Sequence, residues 1–259
     1  MECENKMSEF IYGLWPAMEC LRAGRRKFEK LVIADHLEEK GLVGEIMNVA
    51  KEKGIEVGRV QRRIIDDLSN NNNHQGIALR VGDYPYVDIE DILTLASKRG
   101  EKPFILILDL LKDPQNVGSL IRVADAVGIH GVIIQDRRQV SVTPAVVASS
   151  SGAVEHLLVA QVTNLVNAMK DLKENDIWLV GMDVGTNVPP LDKTDLNMAL
   201  GMVMGSEGEG MRRLVRDTCD FLVALPMRGQ VGSLNVATAG SIALYSAWQA
   251  RNWEGWAHA

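Results

Sequence analysis

The chain has 259 residues, enough for one large hydrophobic core or two modest domains. Hydrophobic residues make up 46% and charged residues 24%, ordinary values for a soluble globular protein. The most apolar run, Phe104 to Leu111, is far too short to cross a bilayer and contains Asp109. The first residues, MECENKMSEF, carry acidic side chains and no apolar stretch, so no secretory signal is expected and the expected location is the cytoplasm. Cys3, Cys20 and Cys219 are widely spaced and form no CxxC pair, which suggests free thiols and neither a disulfide framework nor a metal site.

A net charge of −6 argues against a surface coated in positive charge, but the charges are unevenly spread. Residues 1–80 hold 13 basic and 13 acidic side chains, whereas residues 103–259 hold 12 and 16. Within the first stretch Arg22, Arg25 and Arg26 form one basic cluster, and Arg62 and Arg63 belong to another. Both are candidates for tracking a nucleic-acid backbone, and both also suit solvated helix ends.

In chain order, residues 29–35, 55–60 and 77–81 have the composition of short β-strands, and Val43 to Lys53 and Gln61 to Leu68 have helical spacing. The polar run SNNNNHQG, Ser69 to Gly76, has no periodicity and predicts a surface loop. Residues 1–81 therefore predict a small α/β domain. Residues 82–102, with two prolines and mixed charge, predict a linker with a short helix inside it.

From Phe104 strand and helix alternate, so residues 103–259 predict a second α/β domain. The strand-like segments are FILILDL, GVIIQ, EHLLVAQV, IWLVGMDV, ALGMVMG and FLVALP. The helical ones run from Val117 to Val127, Thr143 to Ser150, Leu165 to Lys173, Met211 to Asp217 and onward from about Ser233. Strands this apolar are buried on both faces, which predicts a mainly parallel sheet covered by helices.

Glycine-rich loops follow several of these strands, but none fits a nucleotide fingerprint. The spacing from Gly205 is GxxGxG, not GxGxxG, with no acidic residue about 20 positions on, and there is no GxxxxGK[ST]. A nicotinamide enzyme and a Walker loop are both disfavoured. Polar groups recur instead at three strand ends, in DPQNVGSLIRVADAVG, GSEGEGMRRL and LPMRGQVGSLN, where an open α/β sheet binds its ligands. In the first, Asn116 and Arg122 lie six apart, a turn of about 600° on a helix, so they do not share one face. The spacing predicts Asn116 as the cap and Arg122 almost two turns inside.

These three segments resemble, in order, spacing and residues, motifs 1, 2 and 3 of the SpoU/TrmH branch of the SPOUT RNA methyltransferases. IYGLWPAMECLRAG and HQGIALRV resemble the amino-terminal RNA-binding domain of the bacterial 23S rRNA guanosine 2′-O-methyltransferases, which is similar to ribosomal protein L30e. The resemblance implies an L30e-like domain followed by a domain with a deep trefoil knot, and S-adenosylmethionine as cofactor. It implies a homodimer joined through the knotted domain, with 23S rRNA or a ribosomal precursor as partner and no membrane. A tRNA substrate and a non-catalytic RNA-binding factor are the rival readings.

By the same resemblance Asn116, Arg122, Glu207, Ser233 and Asn235 match the active-site polar residues. Gly205, Met227, Leu225, Leu234, Gly229 and Gly232 belong to the cofactor pocket, the last two giving the backbone room to approach it. Each polar residue also has a structural alternative. Asn116, Ser233 and Asn235 suit helix caps, Glu207 a charge at a helix start, and Arg122 an ion pair with Asp125 or Asp109.

Overall fold

The computed structural model describes residues 8–185 and 188–256. Cys3 lies outside them, and Cys20 and Cys219 are free thiols. Burial pushes the Cys219 thiol up to about 12, with Asp220 adding to the effect, so it stays protonated near neutrality. The chain divides into two compact units.

The first unit comprises the described part of Met1–Pro85 together with Val142–His156. Its elements are β1 (Glu9–Tyr12), α1 (Leu14–Ala23), β2 (Phe28–Ala34), α2 (Gly41–Glu52), β3 (Glu56–Val60), α3 (Arg62–Leu68) and β4 (Ile77–Val81). The sheet order is β1-β4-β2-β3, with β2 and β3 parallel and β4 antiparallel to both of its neighbours. Ile11, Leu31, Ile33, Ile77 and Leu79 are fully buried on this sheet, and Met18, Leu21 and Ile46 are buried on the helices beside it.

Strand periodicity does not single out β1, because four residues are too few to display alternation. The asparagine run is a loop, and a tied one. Asn70 and Asn71 adopt left-handed backbone at φ 50° and 59°, which asparagine tolerates better than most residues. His74 is buried, bonded through Nε2 to Asp66 at 2.7 Å, and accepts the Gly76 amide at 2.9 Å. The Gln75 side chain accepts the Leu14 amide at 3.0 Å, stitching the loop to the start of α1.

The helix expected from Thr143 to Ser150 forms at Pro144–Ser149 (α6), with Thr143 as its cap. It packs in the first unit, not among the helices of the second. The reason lies just after it. Glu155 is 1% exposed and its carboxylate grips Arg26, whose side chain has no exposure, at 2.7 Å and 3.0 Å. Gly152 lets this segment approach α1, since a Cβ there would stand 2.6 Å from the Glu19 Cβ.

The second unit comprises Tyr86–Ser141 and the described part of Leu157–Ala259. It contains α4 (Ile89–Arg99), β5 (Phe104–Asp109), α5 (Pro114–Ala126), β6 (Gly131–Gln135), β7 (Val159–Val162), α7 (Leu165–Glu174) and β8 (Trp178–Met182). It continues with β9 (Leu200–Gly205), α8 (Arg213–Thr218), β10 (Phe221–Val223) and α9 (Val236–Ala250). The sheet order is β10-β8-β9-β5-β6-β7 and every pairing is parallel, as the apolar strands require. Every residue of β5 and β9 is buried.

The helix expected inside residues 82–102 is α4. A reciprocal capping box of Asp88 and Asp91 starts it, left-handed Gly100 ends it, and Ile92 is fully buried in the second unit's core. The segment EHLLVAQV is strand only over Val159–Val162, and α9 begins at Val236, three residues beyond the expected start at Ser233.

Candidate active site at the carboxyl edge of the parallel sheet

Parallel strands send all their carboxyl ends to one edge, so the segments after β5, β9 and β10 meet there. After β5, Asp113 caps α5 by accepting the Gln115 amide at 3.1 Å, and Pro114 supplies the preset φ of a first helical residue. The cap is thus Asp113, not the expected Asn116. That frees the Asn116 side chain, inside the first turn, to point at other groups.

After β9 the chain makes a tight turn closed by paired amides and carbonyls of Ser206 and Gly210, at 3.0 Å and 2.9 Å, with Glu207 beyond Ser206. Gly205 is required at its base, because a Cβ would lie 2.2 Å from the Met211 nitrogen, a backbone atom that cannot step aside. After β10 an irregular stretch ends at Asn235, the cap of α9.

These three segments bring Asn116, Glu207 and Asn235 into one hydrogen-bonded cluster. Asn116 Nδ2 donates to Glu207 Oε1 at 2.9 Å, and Asn235 Nδ2 donates to the same oxygen at 2.5 Å and to Asn116 Oδ1 at 2.9 Å. The Asn235 oxygen meanwhile accepts the Ala237 and Thr238 amides at 2.9 Å and 3.3 Å. Cap and site residue are therefore one side chain used at both ends. Of the rival readings, the cap assigned to Asn235 is real and coexists with its place in the cluster.

The cluster borders a cleft of about 300 Å³. Gly205, Leu225, Met227, Ser233 and Leu234 line it, as does Glu207. Gly229 and Gly232 do not line it; both are exposed and a Cβ on either would meet nothing within 4 Å. Arg122 lies exposed on α5 and lines neither this cleft nor its neighbour. That second cleft, about 270 Å³, includes Lys112, Asp113, Asn116 and Glu209 and shares Ser206, Glu207 and Val236 with the first.

Sequence reasoning did not pair Asp109 with Arg212. Asp109 is fully buried at the end of β5 and accepts the Arg212 amide at 2.8 Å and its guanidinium Nε at 2.7 Å. Arg212 also donates to Gln135 Oε1 at 2.8 Å, at the end of β6. The ion pair considered between Arg122 and Asp109 is thus made by Arg212 instead. The sequence does carry a signal for Asp109, a carboxylate ending an otherwise apolar strand. Sequence reasoning missed Asp183, which lines the first cleft and is held by Arg216 at 2.7 Å.

The expected RNA-contacting arginines are dispersed. Arg22 is exposed and paired with Glu19 at 2.7 Å; Arg62 and Arg63 are exposed at the start of α3, with Arg62 3.8 Å from Asp66. Arg25 donates inward to the Tyr84 hydroxyl and to the carbonyls of Glu155 and Pro85. Arg26 is enclosed between Glu155 and Glu9, and although burial works against its charge, those carboxylates hold its pKa above the ordinary value. A guanidinium with no exposed surface is not available to a phosphate, so Arg26 belongs to the fold and not to the RNA-binding set.

Among known families, the SpoU rRNA methylase family model matches residues 103–245. A second model, described as RNA 2′-O ribose methyltransferase substrate binding, matches residues 10–87. A putative TrmH family tRNA/rRNA methyltransferase of Bacillus subtilis is 40% identical over 248 residues, 96% of this chain and 98% of that one. One of Staphylococcus saprophyticus is 40% identical over 245 residues, 95% and 97% of the two chains. The SpoU methyltransferase AviRb of Streptomyces viridochromogenes, solved with S-adenosylmethionine, superposes with a TM-score of 0.77 at 25% identity, covering 95% of this chain and 91% of its own. An rRNA methyltransferase of Sinorhizobium meliloti, at 21% identity and a TM-score of 0.73 over 93% and 87% of the two chains, shares the fold.

The chain belongs to the SpoU rRNA methylase family. It is therefore an RNA methyltransferase dependent on S-adenosylmethionine, and its fold is the SPOUT fold of that family. The first cleft fits this cofactor. Met182, Val184, Met204, Leu225 and Leu234 offer apolar surface, while among the described residues the charged ones lining it are Asp183 and Glu207, with no lysine or arginine to oppose a cationic sulfonium. Among the described residues no helix is long and apolar enough to cross a membrane.

Proposed function

We propose that this enzyme methylates the 2′-oxygen of a ribose, that of a guanosine in 23S rRNA, alone or within a ribosomal precursor in the cytoplasm. The observation that carries the reading is the Asn116–Glu207–Asn235 cluster standing between two clefts. One cleft suits the cofactor, and the other adjoins it through shared residues, so the acceptor ribose would enter there. The substrate-binding model over residues 10–87 supports both the 2′-oxygen and an RNA-holding role for the first unit.

Bound S-adenosylmethionine supplies an activated methyl group, so little chemistry is asked of the protein beyond alignment and help with one proton. Glu207 Oε1 is engaged by two amide donors, which holds the carboxylate and leaves Oε2 as the oxygen to accept a hydrogen bond from the ribose hydroxyl. Asn116 and Asn235 hold Glu207 in that pose, and Asn235 is itself locked by the first turn of α9. Ser233, on the cofactor side, adds a hydroxyl to the cleft wall. Arg122 is exposed on α5 and lines neither cleft, and we assign its guanidinium, a donor only, to the acceptor strand's phosphate.

We further propose that residues 225–235 pass through the knot expected of the family and that two copies associate through the second unit. Ile242 and Tyr245 are exposed at 43% and 44% on α9, which offers apolar surface for a second copy. The names of the relatives cover tRNA and rRNA alike, so tRNA is the second reading.

The deciding experiment offers the enzyme and labelled S-adenosylmethionine both 23S rRNA and tRNA from cells lacking the gene, then maps modified nucleosides by mass spectrometry. A 2′-O-methylguanosine in 23S rRNA is expected. Label only in tRNA, or on a base instead of a ribose, overturns the assignment.

A further inference from the structure

We propose that Lys112, Arg137 and Arg138 form a basic strip on the second unit that holds the phosphates flanking the target nucleotide. This rests on RNA being the substrate, and it moves part of RNA recognition from the amino-terminal arginines to the catalytic edge. Arg26 and Arg25 are committed to internal partners, so the first cluster supplies fewer free charges than its sequence suggests.

The strip is built from loops that follow neighbouring strands. Sheet order runs β9, β5, β6, so the turn carrying Glu207, the loop carrying Lys112 and the loop carrying Arg137 and Arg138 lie side by side. Each step outward is about 4.8 Å at the strand ends. Lys112 lines the second cleft beside Asn116 and Glu207, and the two arginines stand one strand further out.

Two features bear on what these residues can hold. First, Lys112, Arg137 and Arg138 are all exposed, and none makes an ion pair among the described residues, whereas Arg212, Arg213 and Arg216 in the same unit are each neutralised by an aspartate. Lys112 shares the second cleft with Asp113, Glu207 and Glu209, so the strip's cationic end is Arg137 and Arg138, one strand beyond those carboxylates. Second, the two loops are fastened together. Gln139 Oε1 accepts the Leu110 amide at 3.1 Å, and the Val140 amide donates to the Leu111 carbonyl at 3.0 Å. Leu110, at φ 59°, and Arg138, at φ 64°, adopt left-handed backbone, so both loops take up strained conformations on either side of these bonds. Strain of this kind is kept where the surroundings hold it, and here the Gln139 and Val140 bonds hold the Lys112 loop against the loop of the arginines. Phosphate contacts of this type fix register and orientation without reading sequence, which suits a strip beside an acceptor ribose.

The test is a variant with Lys112→Gln, Arg137→Gln and Arg138→Asn, asparagine being chosen because it tolerates left-handed backbone. Its affinity for a fluorescein-labelled single-stranded RNA is measured across a salt series beside the wild type. If all three residues contact phosphates, the slope of log affinity against log salt becomes shallower by about 2, at about 0.7 per contact, and low-salt affinity falls roughly tenfold or more. S-adenosylhomocysteine affinity, measured by calorimetry on the same samples, stays at the wild-type value. Unchanged slope and RNA affinity overturn the proposal, and so does a parallel loss of S-adenosylhomocysteine binding, which would make the loops structural. A wild type that binds this RNA with the steep slope yet methylates neither rRNA nor tRNA refutes the functional assignment while leaving the strip intact.

Discussion

Asp109 holds Arg212 twice, through the backbone amide and through the guanidinium, so one buried carboxylate ties the end of β5 to the chain just beyond the Glu207 turn. The same carboxylate precedes the loop that leads to Asn116. Asp109 and Arg212 thereby set the distance between Asn116 and Glu207 without lining the clefts that border them.

Arg212→Met is expected to lower kcat while leaving cofactor affinity near the wild-type value. Its stability cost is about 2–3 kcal/mol, less than for a fully enclosed pair because the Arg212 side chain is 37% exposed. Arg212→Lys should recover part of the rate, since it restores the charge without the planar fork. Combining Arg212→Met with Glu207→Gln should slow turnover hardly more than Glu207→Gln alone, and fully additive losses would show that Arg212 does not act through Glu207.

Asn235 separates its two duties under substitution. Asn235→Asp keeps the oxygen that caps α9 but replaces the amide donor with a second carboxylate beside Glu207. Thermal stability should stay close to wild type, while methyl transfer falls by about 10²–10³, the usual loss for one group aimed at a transition state. Asn235→Ala should lose rate and also about 1 kcal/mol of stability. Asn235→Asp with normal turnover would reduce the residue to a cap.

Gly205→Ala forces a Cβ to within 2.2 Å of the Met211 nitrogen. The turn must shift, and overpacking of this kind costs about 1–3 kcal/mol. Calorimetric titration with S-adenosylhomocysteine should show weakened binding. Gly229→Ala, in open space, should bind as the wild type does.

The first unit depends on a distant piece of chain. Glu155→Ala would leave Arg26 enclosed with only Glu9 as counter-ion, at a cost of about 3 kcal/mol read from urea unfolding. For the same reason a fragment ending at residue 85 should unfold more readily than the intact protein, because Val142–His156 would be missing from its unit.

His130 supplies a pH dependence. Its Nδ1 accepts the Phe104 amide at 2.9 Å, leaving Nε2 to donate to Glu101 at 3.0 Å, which is the neutral ring. Burial pushes its pKa below the ordinary 6.5; Glu101 opposes this, and Arg99 and Arg251 add to it. A depressed pKa contributes stability that is present above 6.5 and is lost as the pH falls through the folded value. Urea midpoints should therefore decline from about pH 7 to about pH 5, and less steeply in His130→Gln.

The alternation of apolar strands with helices after Phe104 was enough to predict a buried parallel sheet, because a strand covered on both faces leaves no polar positions to pattern. The three polar segments at strand ends marked the edge at which ligands bind, and only their resemblance to the motifs of a known family pointed to Asn116, Glu207 and Asn235 as site residues. Local sequence could not tell that Asn235 both caps α9 and bonds Glu207, because the partners lie 119 and 28 positions away. It placed Arg26 on the surface because a cluster of arginines reads as solvated charge, whereas Glu155, 129 positions on, neutralises it inside the fold. Composition and periodicity act over a turn or a strand, and they determined the elements and the edge at which ligands bind. Which side chains share a hydrogen bond and which charge is enclosed depend on where the chain returns, and only the tertiary structure decided those.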